Sequence, residues 1–461
     1  MKPNTALWIL APLASACLVL VGTGAIDRAA QAGPGAGVVW DDQEVSFVRE
    51  MVARTYVDEL TEKQSRDAFH AALDGYVKSL PDPYNAFIAP DEYRRWKDNA
   101  AGHYAGIGVK VDARPKEGLA LAGVFPGGPA DKAGLKVGEI VTHVEGRSLA
   151  EADLSRDENV RALKGAVGTS VTVAVLTPPP EGAPEGTPPA RRRVTIVRDE
   201  IRPPTVFARR LGADGRPAAD GHVGYLRLTE FVASTAEDFG RALDAMVAAG
   251  VKAVVVDVRN NGGGVLPATV DVADRFIRTG DIVQMRGRTQ GSTRVETAKD
   301  EGTIPEAVGL VVLVNGHSAS ASEVFAGCIQ DHRRGVLLGT RTYGKFLVQN
   351  ITEIPGKSAA VKLTSARYQT PSGRWYARNP KQPDAPAGLI PDLVVELSAA
   401  DAERLAKQQE NEEEAIWGSR TRHADVPADW VDPQLGKALE VIAGNLSLQE
   451  IRRDEQPPRN G

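Results

Sequence analysis

Hydrophobic positions along the chain fall into three kinds of pattern. Between Gln43 and Lys97 they recur at helical spacing. Val45, Val48, Met51, Val52 and Tyr56 form one such stripe, and Ala71, Leu73, Val77 and Leu80 form another, so this stretch is predicted to be helical. Leu80 to Phe87 interrupts it with two prolines and an asparagine, a turn signal. From Gly102 to Thr177 the apolar runs are short and punctuated by glycine, which predicts strands. From Val194 onward strand-like and helix-like segments alternate. Val251 to Val258 is apolar except for Lys252 and Asp257, as suits a strand buried on both faces. Ser234-Thr235-Ala236-Glu237 before it matches a capping box, opening a helix expected to reach Ala249. Val308 to Val314 is a second buried strand. A helix starts near Ser320 with Val324, Phe325, Cys328 and Ile329 on one side, and Val336 to Leu338 is a third strand. Ala400 to Trp417 is a charged helix, and the tail after Asp454 is polar. Alternation of this kind implies an α/β core with parallel strands and crossover helices.

Composition narrows the class. The chain has 461 residues, a net charge of −5, 42% hydrophobic and 25% charged residues. That is ordinary globular composition and excludes a fibrous or mainly disordered chain. The mildly acidic balance argues against a nucleic-acid partner, which requires a basic footprint. Cysteine occurs only at positions 17 and 328. A metal cluster built on cysteine is excluded, and once the N-terminal segment is removed no internal disulfide can form.

That segment has the form of an export signal. Lys2 supplies a positive start, Ala6 to Val21 is nearly all apolar, and Ala30-Gln31-Ala32 fits a small-x-small cleavage site. The run is short for a membrane span, which needs ~20 residues. Residues 1–32 are therefore read as a cleaved signal peptide or a retained anchor. The expected location is the periplasm or cell envelope, with inner-membrane association if the segment is retained.

The glycine-rich region carries a specific pattern. It contains Tyr104-Ala105-Gly106-Ile107-Gly108-Val109, then Gly127-Gly128-Pro129-Ala130, then Ala133-Gly134-Leu135-Lys136-Val137-Gly138-Glu139-Ile140. This resembles a PDZ domain over residues 101–177. Backbone N–H groups of a Gly-Ile-Gly turn can point at a peptide carboxylate, and the following strand can accept a peptide by β-augmentation. The resemblance implies that Gly106, Ile107, Gly108 and Val109 hold the end of a bound chain.

A second constellation carries chemistry. After the strand ending at Val314 comes Asn315-Gly316-His317-Ser318-Ala319-Ser320-Ala321-Ser322-Glu323. After the next strand comes Tyr343-Gly344-Lys345-Phe346-Leu347-Val348-Gln349. A strand-to-helix junction can present a hydroxyl beside the unpaired amides of a helix start. A serine needs a base to become a nucleophile, and a lysine serves if burial keeps it neutral. Gln349 can orient the amine by hydrogen bonding. The residues alone leave Ser318, Ser320 and Ser322 open, and Ser320-x-x-Glu323 is also a plain capping box. His317 is read as a loop residue, because closeness in sequence does not make a triad.

Together these motifs resemble the carboxyl-terminal processing (tail-specific) proteases, PDZ-containing Ser/Lys peptidases. Lys345 lies 25 residues after Ser320, and Gln349 four after Lys345. The resemblance implies Ser320 as nucleophile, Lys345 as base and Gln349 as its orienting partner. Asp257-Val258-Arg259-Asn260-Asn261-Gly262-Gly263-Gly264 is similar to the family's oxyanion loop. That implies the Gly263 amide, paired with that of Ala321, as oxyanion donors. Leu80 to Phe87, Ala366 to Arg374 and Ile390-Pro391-Asp392 are similar to further landmarks. The family usually has glycine where Phe346 stands, and nothing similar is found after Leu397.

The expected architecture is mixed α/β (α+β): a helical region over 38–100, the PDZ domain over 101–177 and a Pro-rich insertion or linker over 178–193. An α/β protease core follows over 194–398, with a helical extension and tail over 399–461. The function implied is an exported serine endopeptidase that captures free C-termini of proteins or peptides, with no cofactor or metal. An adaptor or activator protein is a further partner. The alternative is a catalytically inactive PDZ scaffold or adaptor in the envelope.

Overall fold

The computed structural model describes residues 18–20, 42–112, 118–150, 156–180, 182, 184, 186–288, 292–378, 387–418, 426–427 and 429–444. Most of the export-like segment and the tail after Asp454 lie outside the described residues.

The central sheet has six strands in the order Val206–Leu211, Val223–Leu228, Ala253–Asp257, Gly309–Val314, Val336–Gly339 and Leu393–Val394. The first pair is antiparallel and the other four pairs are parallel. Every residue of Ala253–Asp257 is buried, as a two-sided parallel strand requires. Alternating side chains divide between the two faces. On one face Val254, Val256, Val312 and Val314 pack with helices Thr235–Ala248, Leu266–Asp274 and Ala321–Asp331. On the other, Tyr225, Val255, Val311 and Leu313 pack with Leu435, Ala438 and Val441 of the C-terminal helix Pro433–Ala443.

A second sheet runs Leu18–Leu20, Leu347–Glu353, Ala360–Gln369, Asp281–Gly287, Arg294–Thr297, with Ala86–Ile88 also pairing with Ala360–Gln369. Its first strand, from the export-like segment, pairs in parallel with the strand bearing Gln349.

The glycine-rich module is a sheet ordered Val109–Asp112, Leu119–Val124, Ile140–Val144, Ser170–Thr177, Ala190–Val197. Its last strand decides between the insertion and linker readings of 178–193 and extends the module past residue 177. Ala190–Val197 pairs residue for residue with Ser170–Thr177, so the prolines form a hairpin loop within the module. Proline removed the periodicity of the loop but not the strands on either side. The connection to the core is instead a two-stranded ribbon, Asp199–Ile201 against Tyr104–Gly106.

One further expectation changes. Ser234 makes no side-chain cap. The Thr235 hydroxyl accepts from Val232 N at 2.9 Å and donates to Glu230 O at 3.0 Å. The helix predicted there forms over Asp42–Thr55, with Val45, Val48, Met51 and Val52 exposed.

The long helix Ala399–Ile416 bridges the two parts of the molecule. Arg227, buried at the end of its strand, donates to Glu412 at 3.1 Å, Glu413 at 2.9 Å and Gln409 O at 3.3 Å. In the same last turns of the helix Glu414 pairs with Lys110. Just beyond it, Trp417 O accepts from Val124 N at 2.7 Å, and the Trp417 ring meets Phe125 edge-on.

Candidate active site

Three loops converge at the carboxyl ends of the central strands. Asn315–Ser320 follows Gly309–Val314, Asn260–Val265 follows Ala253–Asp257, and Thr340–Phe346 follows Val336–Gly339. This is where open α/β sheets place ligands.

Ser320 sits at the mouth of helix Ala321–Asp331 with φ +58° and ψ −113°. A non-glycine residue held there is strained, and such strain concentrates at functional turns. The neighbouring serines have other partners. The Ser318 hydroxyl donates to Val258 O at 2.8 Å, and that of Ser322 to Asn261 O at 2.9 Å. Both tie the turn to the glycine loop. Of the three, Ser320 alone holds the strained turn at the cap of the helix, and this geometry favours it over the other two.

Glu323 is the hub of the site. Its buried carboxylate accepts from Ser320 N at 2.8 Å, Lys345 N at 2.8 Å, Gly344 N at 2.7 Å and the Thr342 hydroxyl at 2.6 Å. Burial raises its carboxyl above the ordinary range, and the bonds from Thr342, Lys345, Ser320 and Gly344 pull against that. The Tyr368 hydroxyl donates to Ser320 O at 2.9 Å. The capping box and the strained turn are thus one feature: the carboxylate that starts the helix also fastens the lysine loop to it.

Lys345 is buried, its Nζ 4.6 Å from the centre of the Tyr84 ring. Gln349 is fully buried. Its Nε2 donates to Thr364 Oγ1 at 3.2 Å, while its Oε1 has no partner among the described residues. Asn85, next to Tyr84, accepts from Thr364 N at 2.8 Å, so the turn-rich Leu80–Phe87 stretch closes the wall beside Lys345 and Gln349. Phe346 points away. It is fully buried and stacks on Tyr368 at 4.6 Å.

Gly263 lies against the turn. A Cβ added there would sit 2.8–2.9 Å from Ala319 O, Ala321 N and Ser320 Cβ, at a φ of +114° that side chains rarely adopt. The Ala321 amide is the first of its helix and has no intrahelical acceptor. The Gly263 amide is engaged, donating to Asn261 Oδ1 at 2.9 Å.

In the glycine-rich module, Ile107 O accepts from Ala130 N and Gly108 O from Phe125 N, which fixes the Gly106–Val109 turn. Among the described residues Val109–Asp112 is the terminal strand of its sheet, the position that strand addition uses. This module and the Ser320 site are separate places in the fold. Glu323, Tyr84 and Asn261 were not singled out from the sequence for the site. The capping-box spacing was the available signal for Glu323. Among the described residues, no cluster of His, Cys, Asp or Glu could hold a metal ion.

A strained serine at a helix start, a buried lysine fastened to the same carboxylate and a separate glycine-rich sheet fit a serine-type peptidase. Comparison with known proteins agrees. The model of peptidase family S41 matches residues 222–395, and that of the PDZ domain matches residues 122–177. The chain is 30% identical over 396 residues to the carboxy-terminal-processing protease of Bartonella bacilliformis, covering 82% of this chain and 83% of that one. It is 30% identical over 334 residues to the carboxyl-terminal-processing protease of Synechocystis sp., covering 72% of each. Among solved structures it is similar to the photosystem II D1 C-terminal processing protease, with 29% identity, a TM-score of 0.42 and coverage of 77% of this chain and 94% of that one. The chain belongs to the carboxy-terminal-processing protease family. Its substrates are therefore peptides or proteins. None of the described helices is long and apolar enough to cross a membrane.

Proposed function

We propose that this chain is an exported endopeptidase that captures the free C-terminus of a protein on its PDZ domain and cleaves by a Ser/Lys mechanism. Gly106 to Val109 receive the terminal carboxylate, and the outer edge of Val109–Asp112 takes the chain as an added strand. Ser320 attacks the peptide carbonyl as Lys345 accepts its proton. Lys345 is buried, and the Tyr84 face stabilises its ammonium after the step. Gln349 orients the amine through its unpartnered Oε1. Gly263 and Ala321 amides receive the oxyanion. Protonated Lys345 then delivers its proton to the leaving amine, and water deacylates Ser320. Residues 1–32 direct the chain to the periplasm or envelope as a signal or anchor, and an adaptor or activator protein acts with it there.

The observation that carries this reading is the Glu323 carboxylate, which bonds Ser320 N and Lys345 N at 2.8 Å each and so joins nucleophile and base. One observation favours the rival scaffold: the Gly263 amide is turned to Asn261. For catalysis it has to turn toward the substrate, so this geometry is a resting one.

The test is cleavage of an unstructured protein with an apolar C-terminus by wild type, Ser320→Ala and Lys345→Ala. Turnover by wild type, abolished in both variants while peptide still binds the PDZ domain, is the expected result. Peptide binding without turnover by any form supports the scaffold. Turnover by Ser320→Ala overturns the assignment of the nucleophile.

A further inference from the structure

The family match ends at residue 395, yet the chain beyond it reaches back to the glycine loop at two points. The first is Arg259, whose backbone leads directly into Asn260. Its guanidinium is fully buried. It donates to Asp257 Oδ2 at 2.6 Å, Asp432 Oδ2 at 2.6 Å and Gln434 Oε1 at 2.8 Å. Asp432 caps helix Pro433–Ala443, and Gln434 in turn donates to Val395 O at 2.7 Å. A buried cation shared between two carboxylates has one well-determined position, because any shift strands a charge. The second point is Asn260 itself. It holds φ +60°. It trades hydrogen bonds with Asn315 of the serine turn at 3.0 and 2.9 Å, and donates from Nδ2 to Gln409 Oε1 at 2.8 Å.

Gln409 is informative because it is poorly accounted for as a stabilising residue. It is 7% exposed, and its Nε2 has no partner among the described residues. A buried orphan donor is destabilising. What the side chain does achieve is to fix Asn260, three residues before Gly263. The C-terminal half of the helix that presents it is anchored on two sides, by Arg227 on the core and by Val124 on the PDZ domain.

We propose that the C-terminal extension, residues 399–444, is a positioning element for the oxyanion loop, acting through Gln409 on Asn260 and through Asp432 and Gln434 on Arg259. This rests on the peptidase reading above. None of these residues touches substrate. They hold the backbone whose amide does, and small misplacement of such a group is expensive in rate.

The test uses the full chain and an internally quenched peptide substrate. Gln409→Met removes the acceptor at similar volume, Gln409→Glu keeps it, and Asp432→Asn removes one carboxylate. A peptide boronate whose tetrahedral adduct needs the oxyanion donors is bound to each form. The matching peptide amide is bound in a Ser320→Ala background. We expect kcat to fall roughly tenfold or more in Gln409→Met and Asp432→Asn, with KM within about twofold. Boronate affinity falls with kcat, peptide-amide affinity is unchanged, and Gln409→Glu stays near wild type. If Asp432→Asn fails to fold, Gln409→Met decides. Unchanged kcat in a folded Gln409→Met, or peptide-amide affinity lost in step with kcat, overturns the proposal. A wild type inert to both substrate and boronate refutes the peptidase reading and this proposal with it. An active wild type with unaffected variants refutes only the positioning role.

Discussion

The PDZ domain and the protease core solve the same packing problem with different interiors. The PDZ core cluster is apolar, from Ile107 through Leu121, Val141 and Val173 to Ile196, with the neutral Asn159 buried beside it. Its prominent buried ion, Glu139, lies at the rim against half-exposed Arg192. The protease core is equally apolar between its sheet and helices, but buries Asp257, Arg259, Glu323, Lys345 and Gln349 at the strand ends. The PDZ domain recognises through backbone groups, so its side chains need only pack. The core must hold reactive groups away from water, where electrostatic interactions are stronger and unpaired charges are heavily penalised. Polar burial in this molecule therefore follows chemistry rather than size.

The sharpest way to break that comparison is to remove one buried charge from the core. Burial by itself raises the Asp257 carboxyl, but the Arg259 charge and its hydrogen bonds, helped by Tyr225, hold it below the ordinary carboxylate range. That stabilisation is present above the ordinary value, about 4, and is lost as pH falls below it through the folded-state value. Arg259→Met leaves Asp257 and Asp432 buried without their cation. We expect a loss of about 3–5 kcal/mol near neutral pH. Without the guanidinium, burial pushes the Asp257 carboxyl up against its remaining bonds from Tyr225 and the residue-259 amide, so the variant's deficit relative to wild type is larger at neutral than at mildly acidic pH. Chemical denaturation at the two pH values reads both effects. A variant with wild-type pH dependence contradicts the buried-ion account.

Gly263→Ala comes next. The added Cβ meets backbone at 2.8–2.9 Å, at a φ a side chain resists, so the loop must move from Ser320. Loss of one oxyanion donor lowers kcat about 10²–10³-fold, or about 2.7–4 kcal/mol. Peptide binding to the isolated capture step, followed by fluorescence anisotropy in a Ser320→Ala background, should not change. Unaltered kcat removes Gly263 from the oxyanion hole.

How far the sequence could be read depended on whether a feature was local. The run Val251–Val258 announced a strand buried on both faces. It could not say that Leu435, Ala438 and Val441, some 180 residues on, cover the second face, because nothing in either segment names the other. The Gly-Ile-Gly turn and the Ser320/Lys345 spacing were legible as motifs. The joining role of Glu323 was visible only as a capping box, since its bonds to Gly344 and Lys345 cross two elements. Pro178–Pro189 masked a hairpin, because proline erases periodicity without preventing the flanking strands from pairing. The exposed stripe of Asp42–Thr55 shows the converse: periodicity established the helix but not what it packs against.

In the PDZ domain the corresponding effects are smaller and confined to binding. Gly108 holds φ +74°, and a Cβ there would come within 2.9 Å of Ile201 Cδ1, on the ribbon to the core. Gly108→Ala should weaken capture of a C-terminal peptide roughly tenfold, about 1.4 kcal/mol, while kcat on a short peptide that bypasses the domain is kept. Equal losses in both assays mean that the turn serves the core site as well.

The smallest effect is expected at the ion pair that most resembles the core's. Arg192 Nη2 reaches both Glu139 oxygens at 2.8 Å and Gly134 O at 3.0 Å. Yet its side chain is 39% exposed, so water screens it as it never screens Arg259. Glu139 also keeps Thr177 Oγ1 at 2.7 Å and Lys136 N at 2.9 Å when the arginine is gone, so its charge is not left bare. Arg192→Met should then cost no more than about 1 kcal/mol, with kcat and peptide affinity unchanged. Urea denaturation of the same full-length protein, set beside Arg259→Met, measures the difference directly. If Arg192→Met destabilises as much as Arg259→Met, exposure is not what separates the two interiors, and the contrast between binding module and catalytic core has to be sought elsewhere.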